Sequence, residues 1–307
     1  MFYVATLISA PGRPAVTDEL ARKAARYLPH GRPVDWLAPG VALDIAFLLE
    51  DAEPDELPAL VKDMNGDLRD IAAGAAVDVV IQPQDNRRKK LLVADMDSTM
   101  IGQECIDELA DYAGLKSRVG AITERAMRGD IAFEPALRER VALLKGLPAS
   151  VIDEVIDERI RIAPGGAVLV ATMRAHGAYT CVVSGGFTAF TVRLAAMIGF
   201  DEQRANTLLT DARGDLTGEV AAPVLGRDAK RDTLVALREH FRLSREETLA
   251  VGDGANDIPM IEAAGLGVAF HAKPVLRAAA GAVIDHGDLT ALLYAQGYRR
   301  EEFVQGK

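Results

Sequence analysis

Alternation of apolar and polar positions divides the chain into two regimes. Residues 2–9 form an apolar, β-rich run, and Thr17-Asp18-Glu19 follow with an N-cap and an acidic first turn. They open a helix that carries Leu20, Ala21, Ala24, Ala25 and Leu28 on one face. Residues 34–37 and 41–49, separated by Pro39-Gly40, read as a hairpin, 57–73 as a second helix and 77–81 as a last strand. The order βαββαβ is that of a ferredoxin-like split unit. Residues 83–86 break the pattern, which predicts a boundary between a unit over 1–84 and a second over 85–307.

From Leu91 onward strands alternate with helices, the signature of a parallel sheet with crossover connections. Residues 91–94, 179–183, 248–251 and 266–270 read as strands, 187–198, 229–241 and 257–264 as helices, and 206–220 as a hairpin turning at Gly214-Asp215. A long helical stretch interrupts the alternation. Residues 103–113 carry Cys105, Ile106, Leu109, Ala110 and Ala113 at helical period, and Leu137, Val141 and Leu144 repeat it, so about 102–161 is expected to be a helical cap inserted after the first strand. The predicted fold class is α/β: a doubly wound, Rossmann-like parallel sheet with a small α-helical cap, preceded by the ferredoxin-like unit.

Composition narrows the function. In 307 residues, 49% hydrophobic and 26% charged content is that of a globular protein. A net charge of -10 argues against nucleic-acid or acidic-membrane partners, which need surplus Lys and Arg. No apolar run is long enough to cross a bilayer, and the first ten residues lack the basic flank and cleavage pattern of a signal peptide, so a cytoplasmic location is expected. Cys105 and Cys181 form no disulfide or zinc pattern and read as small buried side chains, and the five histidines show no ligand spacing.

Chemistry-bearing residues stand at the ends of predicted elements. Asp95 and Asp97 follow the strand 91–94, where parallel sheets build their sites. A spacing of two in extended chain brings both carboxylates to one face. Ser184-Gly185-Gly186 end another strand and lead into a helix, a setting in which backbone N–H groups can approach an anion. Lys230 begins a helix and can set an ammonium against an oxyanion. Asp253, Asn256 and Asp257 follow a third strand around Gly254. An oxygen-rich cluster without cysteine or histidine suits Mg²⁺. Plainer readings exist: Asp97-Ser98-Thr99 could cap a helix, and Ser184-Gly185-Gly186 could be a tight turn.

In order, Asp95-Met96-Asp97-Ser98-Thr99, Ser184-Gly185-Gly186, Lys230 and Gly252-Asp253-Gly254-Ala255-Asn256-Asp257 resemble the four motifs of the haloacid dehalogenase superfamily of phosphatases, over Leu91 to about Leu293. Glu104, Met127, Phe133 and Arg140 resemble the residues that its phosphoserine phosphatase family sets around the serine moiety. The resemblance implies hydrolysis of O-phosphoserine, the last step of serine biosynthesis. Asp95 would be the nucleophile and Asp97 the general acid and base. Asp95, the Asp97 carbonyl and Asp253 would hold Mg²⁺. Ser184, Gly185, Lys230 and Asn256 would bind the phosphoryl group, with Asp257 orienting Lys230. Arg140 would take the substrate carboxylate and Glu104 its ammonium. A phosphotransferase, or a phosphatase for another small metabolite, is compatible with the same motifs. The N-terminal unit resembles an ACT domain, so a dimerising role is expected of it. An amino-acid-sensing protein is the remaining alternative.

Overall fold

The computed structural model describes residues 1–50, 53, 55–127 and 130–306, the side chain of Met127 excepted. Strands β1 (Phe2–Ser9), β2 (Asp35–Ala38), β3 (Ala42–Leu48) and β4 (Val77–Pro83) form an antiparallel sheet in the order β2-β3-β1-β4. Helices α1 (Asp18–Tyr27) and α2 (Leu57–Ile71) belong to this unit, and buried Leu20, Ala24 and Leu68 pack with Leu7, Ile45 and Phe47 of the sheet. Thr17 caps α1 by accepting a hydrogen bond from the Leu20 N–H at 3.2 Å.

A second sheet is wholly parallel, in the order β12-β11-β10-β5-β6-β7. Its strand β5 (Leu91–Ala94) is central, and every residue of it is buried, as expected of a strand covered on both faces. Four helices follow it, α3 (Cys105–Tyr112), α4 (Lys116–Met127), α5 (Phe133–Ala142) and α6 (Val151–Arg159). The two ends of this helical segment lie side by side: the Gly102 N–H donates to the Arg161 carbonyl and the Ala163 N–H to that of Met100. The chain then alternates through α7 (Gly166–Ala175), β6 (Tyr179–Phe187), α8 (Thr188–Ile198) and β7 (Glu202–Asn206). A small antiparallel pair, β8 (Leu208–Thr210) and β9 (Leu216–Val220), comes next. After it come α9 (Arg227–His240), β10 (Thr248–Gly252), α10 (Ile258–Ala263), β11 (Leu266–Phe270), α11 (Pro274–Ala279), β12 (Ala282–Ile284) and α12 (Ala291–Ala295). Among the described residues no helix is long and apolar enough to cross a membrane.

The two sheets share buried structure. Ile8, Ala38 and Val80 of the antiparallel sheet sit in one apolar cluster with Leu292, Leu293 and Tyr294 of α12. Asp78 on β4 is 4% exposed, and its carboxylate accepts hydrogen bonds from three successive backbone N–H groups, those of Asp285, His286 and Gly287, at 2.8–3.2 Å. Residues 84–90 between the sheets are also fastened. Arg87 makes a two-pronged contact with the Asp44 carboxylate at 2.7 and 2.9 Å and donates to the Ala295 carbonyl. The buried Lys89 ammonium donates to the carbonyls of Asn86 and Glu246, and burial pushes its pKa down to about 8.

Candidate active site

Beyond Ala94 the chain leaves the sheet in a tight turn over Met96–Met100, where Asp97 stays extended and Ser98 enters the left-handed region at φ 56°. A non-glycine residue there is strained, and such strain concentrates at functional sites. The turn excludes the reading of Asp97-Ser98-Thr99 as a helix cap: α3 begins only at Cys105, after Glu104 in extended conformation. The Asp97 carboxylate looks instead into a cavity of about 540 Å³ with Asp95, Ser184, Gly185, Asp253 and Asn256.

Asp95 is 4% exposed. Its Oδ1 atom accepts the Met96 N–H at 2.8 Å and lies 2.6 Å from Lys230 Nζ, which leaves Oδ2 without a hydrogen bond among the described residues. Burial, with Asp257 close by, pushes the Asp95 carboxyl well above the usual range, while Lys230 pulls it back. Burial also raises Asp97, to about 7, with Glu104 adding repulsion and the Cys105 N–H, 3.4 Å from Oδ1, opposing. Two carboxylates on one turn are thus held in different environments.

Sequence periodicity placed the start of a helix at Phe187, directly after Ser184-Gly185-Gly186. Strand β6 instead runs through that segment to Phe187, and α8 begins at Thr188. Pairing with β7 shifts between Val183 and Phe187, so 184–186 bulge out of the ladder toward the cavity. The segment expected to cradle an anion is therefore a bulged strand end rather than a helix N-terminus. Ser184 Oγ accepts the Gly186 N–H at 2.8 Å and sits 3.5 Å from Asp97 Oδ2.

Lys230, 3% exposed, stands in the first turn of α9 with its ammonium between two carboxylates, 2.6 Å from Asp95 Oδ1 and 2.6 Å from Asp257 Oδ1. Burial disfavours its charge, but Asp95 and Asp257 outweigh burial and raise its pKa. Asp257 Oδ2 accepts the N–H groups of Asp253 and Gly254 at 3.1 and 3.0 Å, which closes the turn after β10. A Cβ on Gly252 would lie 2.4 Å from the Asp257 carboxyl carbon, so only glycine lets this side chain fold beneath its own loop.

Carboxylate oxygens of Asp95, Asp253 and Asp257 come within 4.8 Å of one another. Against three buried acids stands one fully buried cation, Lys230, with the Lys273 ammonium 3.8 Å from Asp253 and largely exposed. Burial, then Asp257, raises the Asp253 pKa to about 6. An all-oxygen donor set with surplus negative charge fits a hard divalent cation. Since both oxygens of Asp257 are already engaged, Asp95 and Asp253 are the residues of this cluster available to hold it.

Glu104, Phe133 and Arg140 line the same cavity, contributed by the segment from Glu104 through α5. Glu104 accepts the Ser98 hydroxyl at 2.7 Å. Phe133, 39% exposed, is the side chain nearest Gly185. Among the described residues the Arg140 guanidinium has one hydrogen bond, Nε donating to the Ala136 carbonyl of its own helix at 3.3 Å, and burial lowers its pKa. The side chain of Met127 lies outside the described residues. Two residues of the cavity carry no signal strong enough to single out in the sequence, Asp107 and Lys273. Asp107 lies three positions after Glu104, in the first turn of α3, and only the fold brings Lys273 to the other three loops.

Comparison with known proteins matches residues 92–262 to the haloacid dehalogenase-like hydrolases. The phosphoserine phosphatase of Streptomyces coelicolor is 38% identical over 302 residues, covering 97% of this chain and 72% of its own. A haloacid dehalogenase family hydrolase from Salmonella enterica serovar Typhi is similar in structure with a TM-score of 0.83 at 30% identity, over 96% of this chain and 98% of its own. A phosphoserine phosphatase solved as an analogue of its phospho-aspartyl intermediate is 40% identical with a TM-score of 0.62, over 67% of this chain and 98% of its own.

Proposed function

The chain belongs to the haloacid dehalogenase-like hydrolases, and from that premise we propose that it hydrolyses O-phosphoserine to serine and phosphate through phosphorylation of Asp95. The observation that carries this reading is the unequal pair on the turn after β5. Asp95 is fixed by Lys230 and the Met96 N–H with Oδ2 left open, while Asp97 is pushed to about 7, a value suited to moving protons at neutral pH.

In this mechanism Asp95 Oδ2 attacks phosphorus, the P–O bond to serine breaks, and protonated Asp97 gives its proton to the leaving oxygen. Asp97, now a base, takes a proton from the water that attacks the acyl phosphate, which releases phosphate and restores Asp95. Ser184, the Gly185 N–H and Asn256, which line the cavity, bind the phosphoryl oxygens together with Lys230, which stands behind Asp95 and is kept in place by Asp257. Asp95, the Asp97 carbonyl and Asp253 are the residues that would hold Mg²⁺, which supplies positive charge against the phosphoryl oxygens when bound. Phosphate-monoester hydrolysis needs accelerations of up to about 10²¹-fold, and one acid–base group gives roughly 10²- to 10⁴-fold. The larger part must therefore come from preorganised charge and in-line positioning.

Arg140 faces the cavity with no carboxylate partner among the described residues and takes the substrate carboxylate as a planar fork, while Glu104 takes the ammonium. Met127 and Phe133 would pack around the serine carbon atoms. The division into units over 1–84 and 85–307, and the cap over about 102–161, belong to the same proposal. Phosphate release from phosphoserine and from ethyl phosphate, each with Mg²⁺ and with EDTA, tests it. Strong preference for phosphoserine and loss with EDTA are expected. Equal turnover of the two esters would sink the assignment.

A further inference from the structure

Asp107 is unaccounted for in that mechanism, although it lines the same cavity. It sits in the first turn of α3, half-buried, and its carboxylate makes no hydrogen bond or ion pair among the described residues. Leaving a carboxylate half-desolvated and unpaired is costly. The neighbouring charges are informative. Burial raises the Asp107 carboxyl, and Arg140 is the foremost charge opposing that rise. Asp107 is in turn the foremost charge supporting the Arg140 guanidinium, ahead of Glu104. Glu104 is partly committed, since its Oε1 already accepts the Ser98 hydroxyl. Asp107 is thus an acid lining the same cavity as Arg140, with the hydrogen-bonding capacity of its carboxylate unspent among the described residues.

In an α-amino acid the ammonium and the carboxylate are bonded to one carbon, so a group that flanks the carboxylate's binder also flanks the ammonium. We infer that Asp107 receives the α-ammonium of the substrate together with Glu104, and so is a determinant of selectivity for amino-acid phosphates. This rests on the phosphoserine reading above. The ammonium then faces two acids and the carboxylate faces Arg140, so each pole of the zwitterion meets the opposite sign. The same arrangement would reject a phosphorylated hydroxy acid, because its binding would leave Asp107 buried without a partner.

Three substrates separate the roles: phosphoserine, O-phosphoethanolamine with the ammonium alone, and 3-phosphooxypropanoate with the carboxylate alone. Removing one charge-assisted hydrogen bond by Asp107→Asn is expected to raise KM for phosphoserine and O-phosphoethanolamine by roughly 10- to 100-fold. KM for 3-phosphooxypropanoate should not rise, and Asp107→Glu should recover most of the loss. If Asp107→Asn raises KM for 3-phosphooxypropanoate and spares O-phosphoethanolamine, Asp107 acts only through Arg140 and the inference is overturned. Unchanged constants for all three overturn it as well. A wild-type enzyme indifferent to the amino and carboxylate groups overturns the phosphoserine reading itself, and this inference with it. Because turnover of 3-phosphooxypropanoate reports a folded enzyme, loss of folding is told apart from loss of recognition.

Discussion

Lys230 donates to Asp257 at 2.6 Å where both side chains are buried, tying the first turn of α9 to the loop after β10. The same Asp257 carboxylate closes that loop through two backbone N–H groups. Asp257→Ala therefore removes three hydrogen bonds and leaves an ammonium short of one partner. Breaking a buried pair from one side costs about 3–5 kcal/mol, so urea unfolding should show a loss of that order. Turnover should fall too, since Lys230 loses its fixed position.

Asp95→Asn is expected to abolish phosphoryl labelling of the protein as well as turnover. The amide is nearly the same size, so folding should survive and circular dichroism should be unchanged. Trapping of labelled phosphate on the variant would remove Asp95 from the role of nucleophile.

Asp97 supplies a pH dependence. A carboxyl raised to about 7 is protonated below that pH and loses its proton as pH rises through it. The proton needed by the leaving serine oxygen is present on the acid side of the window and absent on the alkaline side. A kcat/KM profile should decline above about pH 7, and the residual activity of Asp97→Asn should lack that limb.

Arg140→Ala should mainly raise KM for phosphoserine, by roughly 10- to 100-fold for a charged hydrogen-bonding fork. Simple alkyl phosphates, which have no carboxylate, should be unaffected. Steady-state kinetics on both substrates decide the matter, and an unchanged KM for phosphoserine removes Arg140 from the substrate site.

Metal has a readout besides turnover. Binding to the surplus of acids at Asp95 and Asp253 stabilises the native state by RT ln(1 + [L]/Kd), about 2.7 kcal/mol at 100 times Kd. Thermal unfolding should shift upward with Mg²⁺, and the shift should vanish in Asp253→Asn. An equal shift in that variant would place the cation elsewhere.

Much of the site was legible because it lies where periodicity stops. Asp95, Asp253 and Ser184 each stand at the end of an apolar run, and the carboxyl end of a parallel strand is where a buried sheet opens to solvent. The bulge at 184–186 was not legible. Its position depends on Phe187 pairing with Asn206 across to β7, a long-range contact that overrides the local tendency toward helix. Asp107 escaped notice for another reason. On a helix, one acid among Asp107, Glu108 and Asp111 reads as a solvated face until the fold sets it in one cavity with Arg140. The fastening of residues 84–90 by Arg87 and Asp44 was equally hidden, since the two lie 43 positions apart in sequence.

The apolar cluster that joins Ile8 and Val80 to Leu292, Leu293 and Tyr294 bears on how such chains diversify. A relative built without the antiparallel sheet could not keep those three side chains, because the helix bearing them would turn a greasy flank to water and invite aggregation. Acquiring or shedding the N-terminal unit is therefore not a cut-and-paste event. It requires concerted replacement along the last helix and at Asp285, His286 and Gly287, whose N–H groups Asp78 now occupies. The polarity of that distant helix is therefore expected to differ between members with and without the unit, which a comparison of their sequences checks.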